Sequence, residues 1–192
     1  MSPRTAEQNE EIRQQTQKQI VDAAFELFAN EGYSKTSIAA VAKKAGISKG
    51  LIYHYFESKE AILEAIFDQL VEIGEHVTDF PEDFGPAEKI KQTLEQTFEF
   101  IEKETGMGRL MVSLALQPGV FDSLKPKLDK VQERQRLMFK EIMWDLGYSK
   151  PELEAYQLGA LMDGVLMGYI TMGEDYPLAE LKKKIMEEYV PD

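Results

Sequence analysis

From Ile20 onward, apolar residues return every three or four positions in nearly every segment of this 192-residue chain, and strand-like alternation is hard to find. That period belongs to helices with one apolar face, and it leaves little room for a sheet. Ile20, Ala23, Ala24, Leu27 and Phe28 make an i, i+3, i+4, i+7, i+8 stripe ended by Gly32. Ile38, Val41, Ala42 and Ala45 mark a second, short helix that starts near Thr36 or Ser37 and closes at Gly46. Ser48 caps a third, with Ile52 and Phe56 on one face, and a fourth begins at Ser58 and carries Ile62, Ile66, Leu70 and Ile73. Pro81, Gly85 and Pro86 then interrupt the pattern. Helices resume over 87–104, 108–117, 122–146, 150–172 and 178–189, punctuated by Gly106, Pro118, Gly119, Gly147 and Pro177. The expectation is an all-α protein of about nine helices.

Charge sorts the helices into two groups. The chain carries a net −12 and no cysteine, which excludes disulfide scaffolds, zinc–thiolate sites and a cysteine nucleophile. Taken whole, that charge would repel nucleic acid. Residues 1–60, however, hold eight basic and eight acidic side chains, so the entire excess belongs to residues 61–192. Between Glu31 and Glu57 there is no acid at all, while Lys35, Lys43, Lys44 and Lys49 fall in that window. The polar start of the chain lacks the apolar core of a signal peptide, and the stretch Ala155 to Gly173 holds Asp163, Gln157 and four glycines. It reads as a buried helix rather than a membrane span, so the expected location is the cytoplasm.

The acid-free window also contains a helix-turn-helix pattern. Such a unit needs two short helices, a tight turn usually containing glycine, and a second helix whose outer side enters the major groove. Gly46 supplies the turn and Ile47 an apolar plug beneath it. With Ile52 and Phe56 inward, Lys49, Gly50, Leu51, Tyr53 and His54 face outward. Lys49 suits a phosphate or a guanine, Leu51 a thymine methyl, and the Tyr53 and Tyr55 hydroxyls suit phosphate oxygens. Gly50 lets backbone approach the duplex. Thr36 and Ser37, at a helix start, combine a hydroxyl with free N–H groups, and Lys59 is a further phosphate candidate. Two simpler readings stand beside these. Tyr55 neighbours the buried face and fits as core, and Thr36 or Ser37 fits as an N-cap contributing about 1 kcal/mol.

The run Thr36-Ser37-Ile38-Ala39-Ala40-Val41-Ala42, followed by AGISKGLIYHYFESKEAIL from Ala45 to Leu63, resembles the signature of the TetR family of transcriptional repressors. The preceding helix, with Phe25, Leu27, Phe28, Gly32 and Tyr33, is also similar. The resemblance is specific over residues 15–65, and beyond them only helix count and length agree. It implies a dimer that binds operator DNA through this region and a small effector through the remainder. By motif position it implies DNA contacts at Thr36, Ser37, Ser48, Lys49, Gly50, Leu51, Tyr53, His54 and Lys59. Ala39 departs from the family, where many members hold a polar or basic residue, and Lys43 or Lys44 is placed to compensate. The implied division is residues 1–58 for DNA and 59–192 for effector binding and dimerisation.

In the second part, Ala160, Gly164 and Gly168 recur every four residues beside Leu161, Val165 and Tyr169, a pattern that lets another helix approach closely. Packing inside the subunit and packing on a partner explain it equally well. The resemblance favours the partner, because in the family the last two long helices pair with their mates, and Leu181 and Ile185 give the final helix its own stripe. Residues 98–144 are rich in Phe, Met and Trp, including Met107, Phe121, Phe139 and Met143. Phe98, Met111, Gln117, Arg134, Met138 and Trp144 are the candidate lining of an effector pocket, with Gln135 a further polar anchor. No catalytic set is present, because His54 and His76 are far apart and there is no glycine-rich phosphate loop. His76 near Glu72 and Asp79 reads as a surface pair before a metal site. No enzyme activity, metal or cofactor is expected. The alternatives are a helical adaptor that binds a protein, and a DNA-binding regulator without a small effector.

Overall fold

The computed structural model describes residues 5–76, 80–115, 117, 119 and 124–191. Asp79, Pro118 and Phe121 lie outside that set, as do the side chains of Leu70, Glu72, Ile73 and His76. Among the described residues all regular structure is helical, in nine α-helices and one short 3₁₀ turn. None of these helices is long and apolar enough to cross a membrane. Contacts divide the chain into two compact units, Met1–Leu70 and Val71–Asp192. The division falls inside the fourth helix, twelve residues beyond the boundary expected from sequence.

In the first unit, α1 (Ala6–Glu31) opens with a capping box, in which the Thr5 hydroxyl accepts from Gln8 N and the Gln8 side chain accepts from Thr5 N. Its early turns bury no residue. From Ile20 onward the expected stripe is buried, with Ile20, Ala24 and Phe28 wholly enclosed. α2 (Ile38–Lys44) and α3 (Lys49–Tyr55) start at Ser37 and Ser48, whose hydroxyls accept from Ala40 N and Leu51 N. α4 (Lys59–His76) starts the same way, the Ser58 hydroxyl accepting from Ala61 N. These caps satisfy N–H groups that a helix start leaves open. Val41, Ala42, Ala45, Ile52 and Phe56 bury their side chains, as do Ile62, Leu63, Ile66 and Phe67 of α4.

In the second unit, α5 (Pro86–Lys103), α7 (Lys125–Asp145) and α8 (Pro151–Met172) each carry proline in the first turn, where its missing N–H costs nothing. α6 (Thr105–Ala115) starts earlier than expected, so Gly106 lies inside a helix rather than ending one. A side-chain carbon at Gly108 would sit 2.8 Å from Leu166 Cδ1, so the bare glycine lets α6 close on α8. After the 3₁₀ turn Gly173–Asp175, α9 (Leu178–Tyr189) completes the bundle. The core gathers Ile90, Leu94, Phe98 and Ile101 of α5, Ile142 and Met143 of α7, Leu158 and Val165 of α8, and Ile185 and Tyr189 of α9. Glu152 of α8 takes Arg136 and Lys140 of α7 at 2.6 and 3.3 Å, an exposed network that contributes alignment more than stability.

Candidate nucleic-acid interface

The turn between α2 and α3 is built to be short. Ile47 N donates to Ala42 O and Gly46 N to Lys43 O, which satisfies the last carbonyls of α2. The crossing needs a left-handed residue, and Gly46 sits at φ +67°. The Gln19 amide of α1 donates to Ala45 O at 3.0 Å and ties the turn to the helix beneath it. Nothing in the local pattern marks Gln19, because its partner is 26 residues away.

α3 then divides cleanly. Ile52 is fully buried, while Lys49, Gly50, Leu51, Tyr53 and His54 are exposed, Tyr53 by half its surface. Lys49 Nζ lies 5.9 Å from the Tyr53 ring centre, one turn away, so the cation and the phenol share one patch. Ser37, Lys43 and Ser48 are exposed beside it, and Ala39 presents only a methyl group. Such a surface offers donors and one apolar contact to a polyanion, and the segment between Glu31 and Glu57 carries no carboxylate of its own.

Four residues of the expected set have other partners. Thr36 is 3% exposed, and its hydroxyl donates to Gly32 O at 2.9 Å, so it closes the loop after α1. The Lys44 ammonium is paired with Glu26 of α1. Tyr55 is half-buried and its ring meets His54 edge-on at 5.4 Å. Lys59 Nζ donates to Tyr33 O at 2.9 Å and to Thr36 O at 3.1 Å. Tyr33, buried against Phe28, in turn donates its hydroxyl to Glu60 Oε1 at 2.9 Å. Burial, and then that carboxylate, push the Tyr33 phenol well above its ordinary range. Glu60 is held below the usual carboxylate range by its backbone N–H bond first, then by Ser58, Tyr33 and the Lys59 charge.

In the second unit the expected dimer residues separate. Ala160, Leu161 and Gly164 are exposed on α8, whereas Val165 and Ile185, each 2% exposed, belong to the core of their own subunit. Leu181 is half-buried. Gly168 is filled from within, since a side-chain carbon there would lie 2.2 Å from the Tyr176 ring. Leu153, Tyr156 and Met167 are exposed in register with Ala160 and Gly164. The expected effector residues separate too. Phe98 is core and Met111 half-buried, and the Gln117 amide donates to Ser113 O. Arg134 and Met138 line a concavity of ≈ 240 Å³ with Phe80, Lys89, Glu141, Ile142 and Asp145. Trp144 is 69% exposed and is not part of that lining.

A family model described as bacterial regulatory proteins, tetR family, matches residues 20–66, the span of this interface. The chain is 30% identical over 185 residues to the HTH-type transcriptional regulator BetI of Proteus mirabilis (strain HI4320), which covers 90% of this chain and 88% of that one. Among solved structures, a transcriptional regulator from Rhodococcus sp. Rha1 has the same fold, with a TM-score of 0.77 at 22% identity over 90% of this chain and 93% of that one. The transcriptional regulator FadR from Bacillus subtilis gives a TM-score of 0.70 at 23% identity over 90% and 97%. Similar to a named regulator along nine-tenths of its length, and matched by the family model across its helix-turn-helix, the chain belongs to the TetR family of bacterial transcriptional regulators.

Proposed function

We propose that the protein is a homodimeric repressor that reads a palindromic operator through α3 and leaves it when a small effector binds the second unit. The observation that carries this reading is the division of α3, with Ile52 buried and Lys49, Gly50, Leu51, Tyr53 and His54 exposed in a segment free of acids. Base contacts come from Lys49, Leu51, Tyr53 and His54, with backbone approach at Gly50. Ser37, Lys43 and Ser48 reach phosphates. Residues 1–58 form the reading part and 59–192 the regulatory part, and the protein works in the cytoplasm, where its operator is.

The partner is a second copy, and α8 supports that choice. It is apolar on its buried side, at Ala155, Leu158 and Val165, and again outside, at Leu153, Tyr156, Leu161, Met167 and Met172, beside the exposed polar residues Gln157 and Asp163. Clustered exposed apolar side chains of that kind mark a surface that a partner covers. Two-fold pairing also gives a helix-turn-helix the second half-site that specificity requires, about 34–36 Å from the first.

The effector is a small molecule with an apolar part. The solved B. subtilis FadR is a complex with stearoyl-CoA, which supports that class. Within this chain Arg134 and Met138, which line the concavity beside α7, are its best placed contacts, and Phe98, Met111 and Gln117 are further candidates. To move the population from mostly bound to mostly released, the effector must prefer one state by about 5.5 kcal/mol.

Selection from random duplexes tests the reading. A short inverted repeat should be enriched, its affinity should fall steeply with salt, and Lys49→Ala and Tyr53→Phe should weaken binding with the dimer intact. Enrichment of no sequence at low salt sinks the proposal and favours a protein-binding adaptor.

A further inference from the structure

One flank of α5 is made of hydrogen-bond acceptors. Thr93, 3% exposed, donates its hydroxyl to Lys89 O at 2.8 Å, and half-buried Thr97 donates to Thr93 O at 2.7 Å. Each bond turns a side chain back on its own helix and leaves the hydroxyl oxygen able only to accept. Gln96 shares that flank, three residues after Thr93, and its Oε1 is enclosed with no hydrogen-bond partner among the described residues. The main core face of α5 lies elsewhere, on Ile90, Leu94, Phe98 and Ile101. An enclosed acceptor without a donor is unfavourable, since it has lost water and gained nothing in return. Such atoms are few in folded proteins, and each calls for a reason. The surroundings of Gln96 supply one. Lys89, Thr93 and Gln96 follow at i, i+4 and i+7, a single stripe along the helix. Lys89 lines the concavity of ≈ 240 Å³ together with Phe80, Arg134, Met138 and Ile142. Gln96 lies two turns further on, about 10 Å along the axis, within the reach of a small molecule seated there.

We propose that Gln96 is the polar anchor of the effector: its Oε1 accepts a hydrogen bond from an O–H or N–H group of a ligand whose apolar part extends from the concavity along α5. The effector class narrows accordingly to apolar molecules that carry a donor. A flank of acceptors disfavours ligands that can only accept, such as carboxylates and ethers. The proposal rests on the effector role given above to the second unit, and it adds the residue and the chemistry that select the ligand.

The test uses the full chain and three probes of one chain length: octanol, octyl methyl ether and octylamine. Without any probe, Gln96→Met should melt at the parent's temperature or above it, because the substitution removes an unpaired acceptor at similar volume. In calorimetric titrations the parent should bind octanol about tenfold more tightly than the ether, the scale of one hydrogen bond. Gln96→Met should bind the two alike. Gln96→Glu keeps the acceptors and has no side-chain N–H to give. It should therefore keep the preference for octanol, and bind octylamine about tenfold more tightly than the parent does.

A lower melting temperature for Gln96→Met overturns the proposal, because it reveals a partner for the amide inside the fold. So does a parent that binds octanol and the ether equally, or binds none of the probes. A preference for octanol that survives in Gln96→Met, or is lost in Gln96→Glu, overturns it as well. Release of the selected operator duplex is scored separately. If the ether binds and releases the duplex as well as octanol does, the effector role stands and the anchor falls. If octanol binds through Gln96 and the duplex stays bound, the anchor stands and its coupling to the operator falls.

Discussion

The reading head and the regulatory unit place their functional side chains by opposite means. In the head, short helices expose a compact row of polar residues from a buried floor, and neighbours in sequence are neighbours in space. Lys49, Gly50, Leu51, Tyr53 and His54 need only one correctly capped helix, with Ile52 fully buried beneath it. In the second unit, long helices bury apolar faces against one another, and among many exposed charges α8 also leaves Leu153, Tyr156 and Met167 outside. A surface that acts on DNA can be assembled locally. A surface that acts on another protein chain or a small molecule depends on how several helices pack.

Core truncation tests that contrast most forcefully. Phe28→Ala in the head and Phe98→Ala in the second unit each remove a fully enclosed ring and should cost about 3–5 kcal/mol. Calorimetry should show Phe28→Ala lowering a transition that Phe98→Ala leaves in place. One shared transition, shifted equally by both, would show that the two contact units have no thermodynamic counterpart. Next comes Gly164→Glu. The glycine is exposed on α8 with nothing within 4 Å of a would-be side-chain carbon, so the subunit fold should persist. Dimer affinity should fall by about 2 kcal/mol or more, read by sedimentation. A dimer left intact would move the partner contact off this face.

Gly46→Ala sharpens the comparison from the head. Space is open there too, but φ is +67°, so the cost is conformational, about 1–2 kcal/mol. Operator binding should weaken while self-association holds. The smallest effect concerns Glu60. Its carboxyl is held below the ordinary range in the fold, so the unfolded chain takes up the proton first as pH falls. The parent should therefore be more stable than Glu60→Gln at neutral pH, and the two should converge as pH drops below about 4.3, the ordinary glutamate value. A difference between the two that does not change across that range would show that the Glu60 charge, with its bonds from Tyr33 and Ser58, contributes nothing to the fold.

The same contrast explains what could be read from sequence. The start of α1 at Ala6 was not legible, because no apolar stripe precedes Ile20; the other helix ends of the head were, because serine caps, Gly32 and Gly46 announce them locally. The exposed row on α3 was legible because Ile52 and Phe56 fix its inward side. The partners of Thr36, Lys44 and Lys59 were not, since Lys59 meets residues 23 and 26 positions away and Lys44 meets Glu26 on another helix. Chemistry named those side chains as polar and left their destination open. On α8 the ambiguity has another cause. With apolar residues on both its buried and its exposed sides, periodicity carries little direction, so Ala160 and Gly164 could not be told from Val165 and Gly168. Burial of Val165 in the core and the packing of Tyr176 onto Gly168 separate them. Gly106 shows the limit of punctuation, because α6 runs helically through it and through Gly108, where the bare backbone meets Leu166.

Trp144, near the end of α7, is the single tryptophan of the chain and stands 69% exposed. It gives the molecule a natural optical probe confined to one unit. Its emission should be that of a water-exposed indole, open to quenching by iodide, and the head contributes no indole signal of its own. Any blue shift on self-association or on adding a ligand then reports cover arriving at the end of α7, while docking of α3 on DNA by itself leaves the colour unchanged. Cover arriving at that end of the second unit can thus be followed without a label, against a head that stays silent.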